Sequence, residues 1–337
     1  MIEARHAPVM ADEALAALAP LDRGVYVDAT LGGGGYSRAI LAAADCSVYA
    51  FDRDPAAIQR AREWAPAYGA RLTLINRPFA EMESALEAFD IDAIDGVVFD
   101  LGVSSMQIDE AERGFSFRAD GPLSMRMDGG KPDAGDVIMK AEARDLQTIF
   151  KIYGEERRAG AIARAIVKAR EATPVETTGK LAEIVAKAAP SHGNQKIHPA
   201  TRAFQALRIF VNDELGQFAE ALAAAERLLR PASRLVAVTF HSLEDRIVKR
   251  FLAQRSGGAS GAPSRHAPPR ENAPASFRLL YSKARSPSPA ETDRNPRSRS
   301  AKLRAAVRLD APALACEPAT LGLPKLEFSK ALDEWRS

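Results

Sequence analysis

The sequence predicts an α/β fold, a parallel and doubly wound sheet interrupted by a mainly helical insertion. Three observations predict it. The stretch Val25–Asp54 (VYVDATLGGGGYSRAILAAADCSVYAFDRD) reads as strand, glycine turn, helix, strand and acidic end. Two more β-prone runs, Arg71–Ile75 (RLTLI) and Ile94–Phe99 (IDGVVF), follow at helix-separated spacing, as strands of a parallel sheet do. The next such run, Leu235–Thr239 (LVAVT), begins 135 positions after Asp100, whereas a helical crossover needs only a dozen or so residues. Much of that interval is therefore an inserted subdomain.

Taken in order, Pro8–Ala19 reads as a helix offering Val9, Met10, Leu15 and Leu18 for packing. His6 ahead of it is either a substrate contact or an ordinary solvated or capping histidine. Val25, Val27 and Ala29 give the first strand, and Gly32 to Gly35 a turn open to backbone shapes closed to other residues. Ser37–Ala44 has helical composition, and Val48–Phe51 is the second strand, ending at Asp52. Pro55 stands where a helix starts, with Ala56–Ala67 continuing it. Phe79 follows the third strand at the carboxyl end of the sheet, where ligands of open α/β sheets bind. It either lies against an adenine ring or packs in the core. Glu81–Phe89 is a helix, and the fourth strand runs into Asp100-Leu101-Gly102-Val103-Ser104-Ser105.

The insertion opens with Glu112–Asp128 (ERGFSFRADGPLSMRMD), rich in Gly, Phe and Met and without periodicity. Helices are expected near Ala143–Tyr153, Glu155–Ala172 and Lys180–Ala189, with a longer one, Pro199–Leu229, returning to the sheet. Ser242–Gln254 is a helix, Ser256–Asn272 a Gly/Ser/Pro-rich loop, and Phe277–Lys283 and Ala301–Leu309 pair antiparallel at the sheet edge. The expected division is 1–105 and 199–310 for the sheet domain, 106–198 for the insertion, and 311–337 for an extension. Arg294, Arg297, Arg299, Lys302, Arg304 and Arg308 form a basic run without an acidic residue; it contacts phosphates or is a solvated face.

Composition bounds the rest. With 46% hydrophobic and 27% charged residues, the chain has an ordinary globular make-up, not a disordered one. Cys46 and Cys316 form neither a metal-ligand spacing nor a disulfide framework, so no metal is expected and a reducing cytoplasm fits. The start MIEARHAPVM lacks a signal-peptide pattern, and no apolar run approaches the ~18 residues of a membrane span.

Asp52 lies twenty positions past Gly32, where a nucleotide-binding βαβ unit places a carboxylate on ribose hydroxyls. The third glycine of the dinucleotide fingerprint would fall at Ser37, so the pyrophosphate pattern is broken. Four consecutive glycines suit the adenosine sulfonium of S-adenosylmethionine better than NAD.

The blocks HAPVM, DATLGGGGYS, FDRDP, FDLGVSSMQIDEAERGFSFRADGPLSMRMD, YGEER, HPATRAFQALRIFVNDEL, TFHSLEDRIVKRF and NPRSRSAKLR resemble, in order from Ile2 to Leu309, the bacterial ribosomal RNA small-subunit methyltransferase H family, also called MraW. The resemblance implies a class I, Rossmann-like S-adenosylmethionine-dependent methyltransferase sheet with an inserted helical domain. It implies methylation of the exocyclic N4 amine of a cytosine in the decoding region of 16S ribosomal RNA, within the small ribosomal subunit. It carries cofactor binding onto Gly34, Gly35, Tyr36, Asp52, Phe79, Asp100 and Gln107. The family's glycine turn usually continues GGHS; Tyr36 replaces that histidine, so a main-chain contact survives and a side-chain contact does not. The usual glycine pair before the fifth strand is Ala232-Ser233, and Asp310–Ser337 has no recognised counterpart.

An amine whose lone pair is delocalised into a ring needs in-line placement and an acceptor for one of its hydrogens, but no covalent nucleophile. Asp100 and His241 are the catalytic candidates, His241 having the alternative of anchoring the next helix. Arg297, Arg299 and Arg304 are the candidate RNA contacts. Phe115 and Phe117, with Arg118 and Arg126, either present an unstacked base or pack the insertion. A nicotinamide-dependent dehydrogenase and a non-catalytic RNA-binding assembly factor are the competing readings, and a homodimer is left open.

Overall fold

The computed structural model describes residues 8–190, 198–257, 274–324, 326–329 and 332. His6, nearly all of the Ser256–Asn272 loop and about half of Leu326–Trp335, a stretch open to being either a docked helix or loose, lie outside the described residues.

Among the described residues seven strands form one sheet: β1 (Val25–Asp28), β2 (Ser47–Phe51), β3 (Leu72–Ile75), β4 (Ile94–Asp100), β5 (Leu229–Thr239), β6 (Phe277–Leu279) and β7 (Lys302–Arg308), in the order β3-β2-β1-β4-β5-β7-β6. β1 to β5 pair in parallel, while β7 runs antiparallel to both β5 and β6. The fourth strand is buried on both faces: Ile94, Val97, Val98 and Phe99 are all closed to solvent. The parallel sheet and its antiparallel closing edge are those of the class I methyltransferase architecture.

The helices are α1 (Ala11–Leu18), α2 (Gly35–Ala43), α3 (Pro55–Ala61), α4 (Met82–Glu87), α5 (Ser105–Asp109), α6 (Ala134–Lys140), α7 (Ala143–Ile152), α8 (Ala159–Ala172), α9 (Thr178–Ala188), α10 (Ala200–Asn212), α11 (Glu214–Leu228), α12 (Ser242–Arg255) and α13 (Pro289–Arg294). Three expectations are corrected. The helix read as Ala56–Ala67 ends at Ala61, because Pro66 cannot continue it and the chain passes into a 3-10 segment broken at Gly69. β5 begins at Leu229, ahead of the expected Leu235, with a bulge in which Ala232 takes φ 71°. The single helix Pro199–Leu229 is two helices, because Asp213 between them is left-handed at φ 45°. Asn212 is drawn out of regular helical use: its amide donates to Met125 O at 2.7 Å and to Arg208 O at 2.9 Å.

The chain divides into two compact units. One is Met1–Gly102 with Leu215–Leu323; the other is Val103–Glu214 with Pro324–Ser337. The insertion therefore ends at Glu214 rather than at 198, where the break at Asp213 separates α10 from α11. The tail is not an independent extension either. Ser329 donates its N–H (3.0 Å) and hydroxyl (2.6 Å) to the buried Asp145 of α7, and Phe328 packs on Phe210 of α10. Among the described residues no helix is long and apolar enough to cross a membrane.

Candidate active site

The first unit places the glycine turn between β1 and α2, with the ends of β2 and β4 beside it. Asp28, the last residue of β1, is fully buried; its carboxylate accepts from the Ser37 hydroxyl at 2.6 Å and the Thr30 N–H at 3.1 Å. Thr30 Oγ1 in turn accepts the Asp100 N–H at 2.7 Å, linking the ends of β1 and β4. Arg38 of α2 fixes the turn from behind, donating to Gly33 O (2.6 Å) and Gly34 O (3.2 Å) while its guanidinium lies 4.7 Å over the Trp64 ring. Gly34 sits at φ 75°, and a Cβ there would fall 2.1 Å from Trp64 Cζ2. The glycine is thus required by a close approach to tryptophan, a reason the sequence does not show. A Cβ on Gly35 would fall 2.7 Å from Pro8 Cδ.

Tyr36 points inward. It is buried, and its hydroxyl donates to Val9 O. Burial, and then the nearby Asp100 and Asp28 carboxyls, hold its phenol well above the usual range. Its side chain is therefore a core group; what it can offer a ligand is its main-chain N–H in the first turn of α2, which has no intrahelical acceptor.

Asp52 faces the turn at the end of β2. Its carboxylate accepts the Gly32 N–H at 2.9 Å and the Asp54 N–H at 2.8 Å, and its carbonyl accepts from the Asn76 amide at 2.8 Å. Burial pushes it up to about 6; the two N–H donors pull it down, and the Asp54 and Asp28 carboxylates add to the rise. Phe79 is half-buried and meets Phe99 edge-on at 6.0 Å, Phe99 in turn meeting Phe218 at 5.5 Å. One edge of that ring belongs to the core and the remainder is open.

Asp100 ends β4. Burial, then the charges of Asp28 and Glu244, raise its carboxyl well above the ordinary range, and its Oδ1 is buried with no hydrogen-bond partner among the described residues. A buried acceptor left without a donor is costly, typically about 1–3 kcal/mol. A cationic ligand with hydrogen-bond donors would satisfy it, and S-adenosylmethionine carries such a group, its ammonium, together with a positive sulfur. An unsatisfied carboxyl oxygen is an acceptor, so this end of β4 suits a ligand that brings donors and positive charge, as S-adenosylmethionine does, better than one that brings a pyrophosphate.

His241 is the N-cap of α12. Its Nδ1 accepts the Glu244 N–H at 3.5 Å, Glu244 Oε2 accepts the Phe240 N–H at 2.7 Å, and Nε2 lies 3.0 Å from Glu244 Oε1 without hydrogen-bond geometry. Both ring nitrogens thus face Glu244, and the anchoring alternative is the one this geometry favours. Gln107 belongs to the second unit. There it closes the capping box of α5, its Oε1 accepting the Ser104 N–H at 3.0 Å while Ser104 Oγ accepts the Gln107 N–H at 3.2 Å.

The basic run separates into two groups. Arg304 is committed to Asp245, with Nε 2.7 Å from Oδ1 and Nη2 3.2 Å from Oδ2; Lys302 joins them, and Arg308 is buried on carbonyls of Glu226, Ser276 and Leu309. Arg294, Arg297 and Arg299 are exposed. The Arg304 side chain is thus held against α12 through Asp245. In the second unit Phe117 packs between Phe204 and His198, and Arg126 is held by Asp128 and Val211 O.

Sequence reasoning missed Arg38, Trp64 and Asp28. Asp28 carried a signal, an acidic residue at the mouth of the glycine turn. Arg38 and Trp64 carried none, since their contact joins α2 to the turn after α3, which periodicity does not relate.

The MraW methylase family matches residues 3–309. Among similar chains are proteins each named ribosomal RNA small subunit methyltransferase H. That of Parvibaculum lavamentivorans is 53% identical over 329 residues, covering 97% of both chains. That of Nitrobacter hamburgensis is 54% identical over 322 residues, covering 96% of both. That of Maricaulis maris is 53% identical over 319 residues, covering 94% of this chain and 95% of the other. Agreement of this extent, together with the sheet order and the glycine-turn site, places the chain: it belongs to the MraW methylase family and is a methyltransferase.

Proposed function

We propose that the chain methylates the exocyclic N4 amine of a cytosine in the decoding region of 16S ribosomal RNA, in the cytoplasm and within the small ribosomal subunit. The methyl donor is S-adenosylmethionine, which supplies a methyl group activated by a positive sulfur. The observation that carries the reading is the unpartnered, buried Oδ1 of Asp100 at the carboxyl end of the central strand β4.

Asp52 accepts the ribose hydroxyls, the main chain of Gly34, Gly35 and Tyr36 lines the turn, and the open part of Phe79 lies against the adenine. Asp100 has two duties. Its carboxyl would hold the cofactor's ammonium, and it would accept a hydrogen of the amine as the nitrogen attacks the methyl carbon and the sulfur–methyl bond breaks, S-adenosylhomocysteine being the leaving group. Burial raises the proton affinity of this carboxyl, which makes it a stronger acceptor for an amine hydrogen than an ordinary carboxylate. His241, with both nitrogens turned to Glu244, keeps α12 in place and takes no proton.

The test is methylation of small subunits and of naked 16S RNA by the purified chain, with the product mapped by mass spectrometry. A single N4-methylated cytosine in the decoding region supports the reading; methylation elsewhere or none overturns it. Asp100→Asn should lower both cofactor affinity and single-turnover rate, the latter by roughly 10²–10⁴-fold. His241→Ala should lower the melting temperature and leave the rate near wild type. The rival readings fail if calorimetry shows binding of S-adenosylmethionine and none of NADH.

A further inference from the structure

The second unit holds a fixed aromatic ring that no catalytic step uses. His198 precedes α10, and its ring is set from two directions. Its Nδ1 accepts the Ala200 N–H at 3.1 Å, and its ring stacks on Phe117 with centroids 4.8 Å apart and planes 37° apart. Phe117 in turn meets the buried Phe204 at 4.9 Å and 70°. The three rings form a column rooted in the core of the unit, and His198 is its exposed end.

The loop carrying Phe117 is held at both ends. Arg113 O accepts the Met125 N–H at 3.0 Å, and Arg113 Nη2 donates to Met127 O at 2.9 Å. Asp120 accepts the Gly179 N–H at 2.7 Å and the Thr178 hydroxyl at 3.3 Å. Between these pins Arg118 stands exposed, next in sequence to Phe117.

An exposed aromatic ring backed by a packed one, with an exposed cation on the loop that carries the backing ring, offers single-stranded nucleic acid a face for one base and a charge for a phosphate. A protein partner would instead be served by an apolar patch, and the imidazole edge makes this a polar-rimmed plate. We infer that His198 is a base-stacking plate for one unpaired nucleotide of the RNA substrate, with Arg118 on its phosphate. This rests on the ribosomal RNA reading above and adds to it the residue that receives a base.

Capping and stacking make opposite demands on substitution, so they can be separated. His198→Asn keeps an acceptor for the Ala200 N–H and removes the ring; His198→Phe keeps the ring and removes the acceptor. With a single-stranded RNA oligonucleotide as probe, His198→Asn should bind roughly 5- to 150-fold more weakly, as loss of one base–aromatic stack requires. His198→Phe should bind as wild type, and S-adenosylmethionine affinity should be unchanged in both. His198→Trp should show fluorescence quenched by the same RNA, measured against the background of Trp64 and Trp335. The inference is overturned if His198→Asn binds RNA as tightly as wild type, or if the introduced tryptophan responds to an added protein and not to RNA. Wild type is measured first: if it neither binds RNA nor methylates it, the functional reading falls, whereas a binding wild type with an indifferent His198→Asn removes the plate alone.

Discussion

Asp52 has been pushed up to about 6, chiefly by burial, which brings its titration into an accessible range. The folded value lies above the ordinary one of 3.8, so the folded chain holds this proton more tightly than the unfolded chain. Its contribution to stability is complete below about pH 4 and lost as pH rises through about 6, at most about 3 kcal/mol before solvent screening. Cofactor binding runs the other way, because only the carboxylate is a full acceptor for two hydroxyls. S-adenosylmethionine affinity should therefore rise between pH 5 and pH 7, and Asp52→Asn should flatten that rise while binding about ten- to hundred-fold more weakly. Calorimetry across that range measures it; an unaltered pH profile in the variant would remove Asp52 from the site. The spacing of Asp52 from Gly32 was legible in the sequence. Its bond to the Gly32 N–H was not, since a spacing rule says where a carboxylate lies and not which groups it already serves.

At the scale of the element, α2 does more than follow the glycine turn. Arg38, on its first turn, clamps the carbonyls of Gly33 and Gly34, and Trp64 backs the guanidinium. Arg38→Ala should loosen the turn and weaken S-adenosylmethionine binding by about tenfold, consistent with one charged hydrogen-bonding group lost. Arg38→Lys should restore little, since an ammonium cannot make the forked contact; full recovery of affinity with lysine would contradict the clamp. The antiparallel strand β7, between β5 and β6, gives a second case. Burial pushes Asp245 up, but its Arg304 and Lys302 partners hold the carboxyl below the usual range. Arg304→Gln should cost about 1–3 kcal/mol of stability and leave the salt dependence of RNA binding unchanged. Arg297→Gln with Arg299→Gln should flatten that dependence by about 0.7 of a log–log unit per lost contact on single strands. The basic run was visible as a run. Which members face solvent was not: Arg294, Arg297 and Arg299 precede β7, whereas Lys302, Arg304 and Arg308 lie on it with even spacing and are held by Asp245 and by main-chain carbonyls.

For the whole molecule, the alternation of strands and helices made the sheet readable, including its long interruption and its antiparallel edge. The far boundary of the insertion was less so. A continuous helical pattern runs across Asn212 and Asp213, and the break depends on Asn212 bonding to Met125 far away in sequence. The tail was opaque because its few apolar residues have no period, while its partners Asp145 and Phe210 lie in an element made much earlier. A chain ended after Leu323 should keep the sheet and lose hydrogen-exchange protection in α7 and α10. The loss should be about 1–3 kcal/mol, because the buried Asp145 carboxylate forfeits both Ser329 donors. Unchanged protection in those helices would show that the tail adds nothing to its unit.

That attachment has a consequence for how the protein comes into being. Domains tend to mature in the order in which they are synthesised. Here the unit begun at Val103 is completed only when Phe328 and Ser329 have been made, after every strand of the sheet unit. The newborn chain must therefore carry α7 and α10 with their docking face open while β5, β6 and β7 assemble. For that interval the exposed face is a binding site for chaperones, and arrested nascent chains ending before Pro324 should be captured by them more strongly than chains carrying the tail.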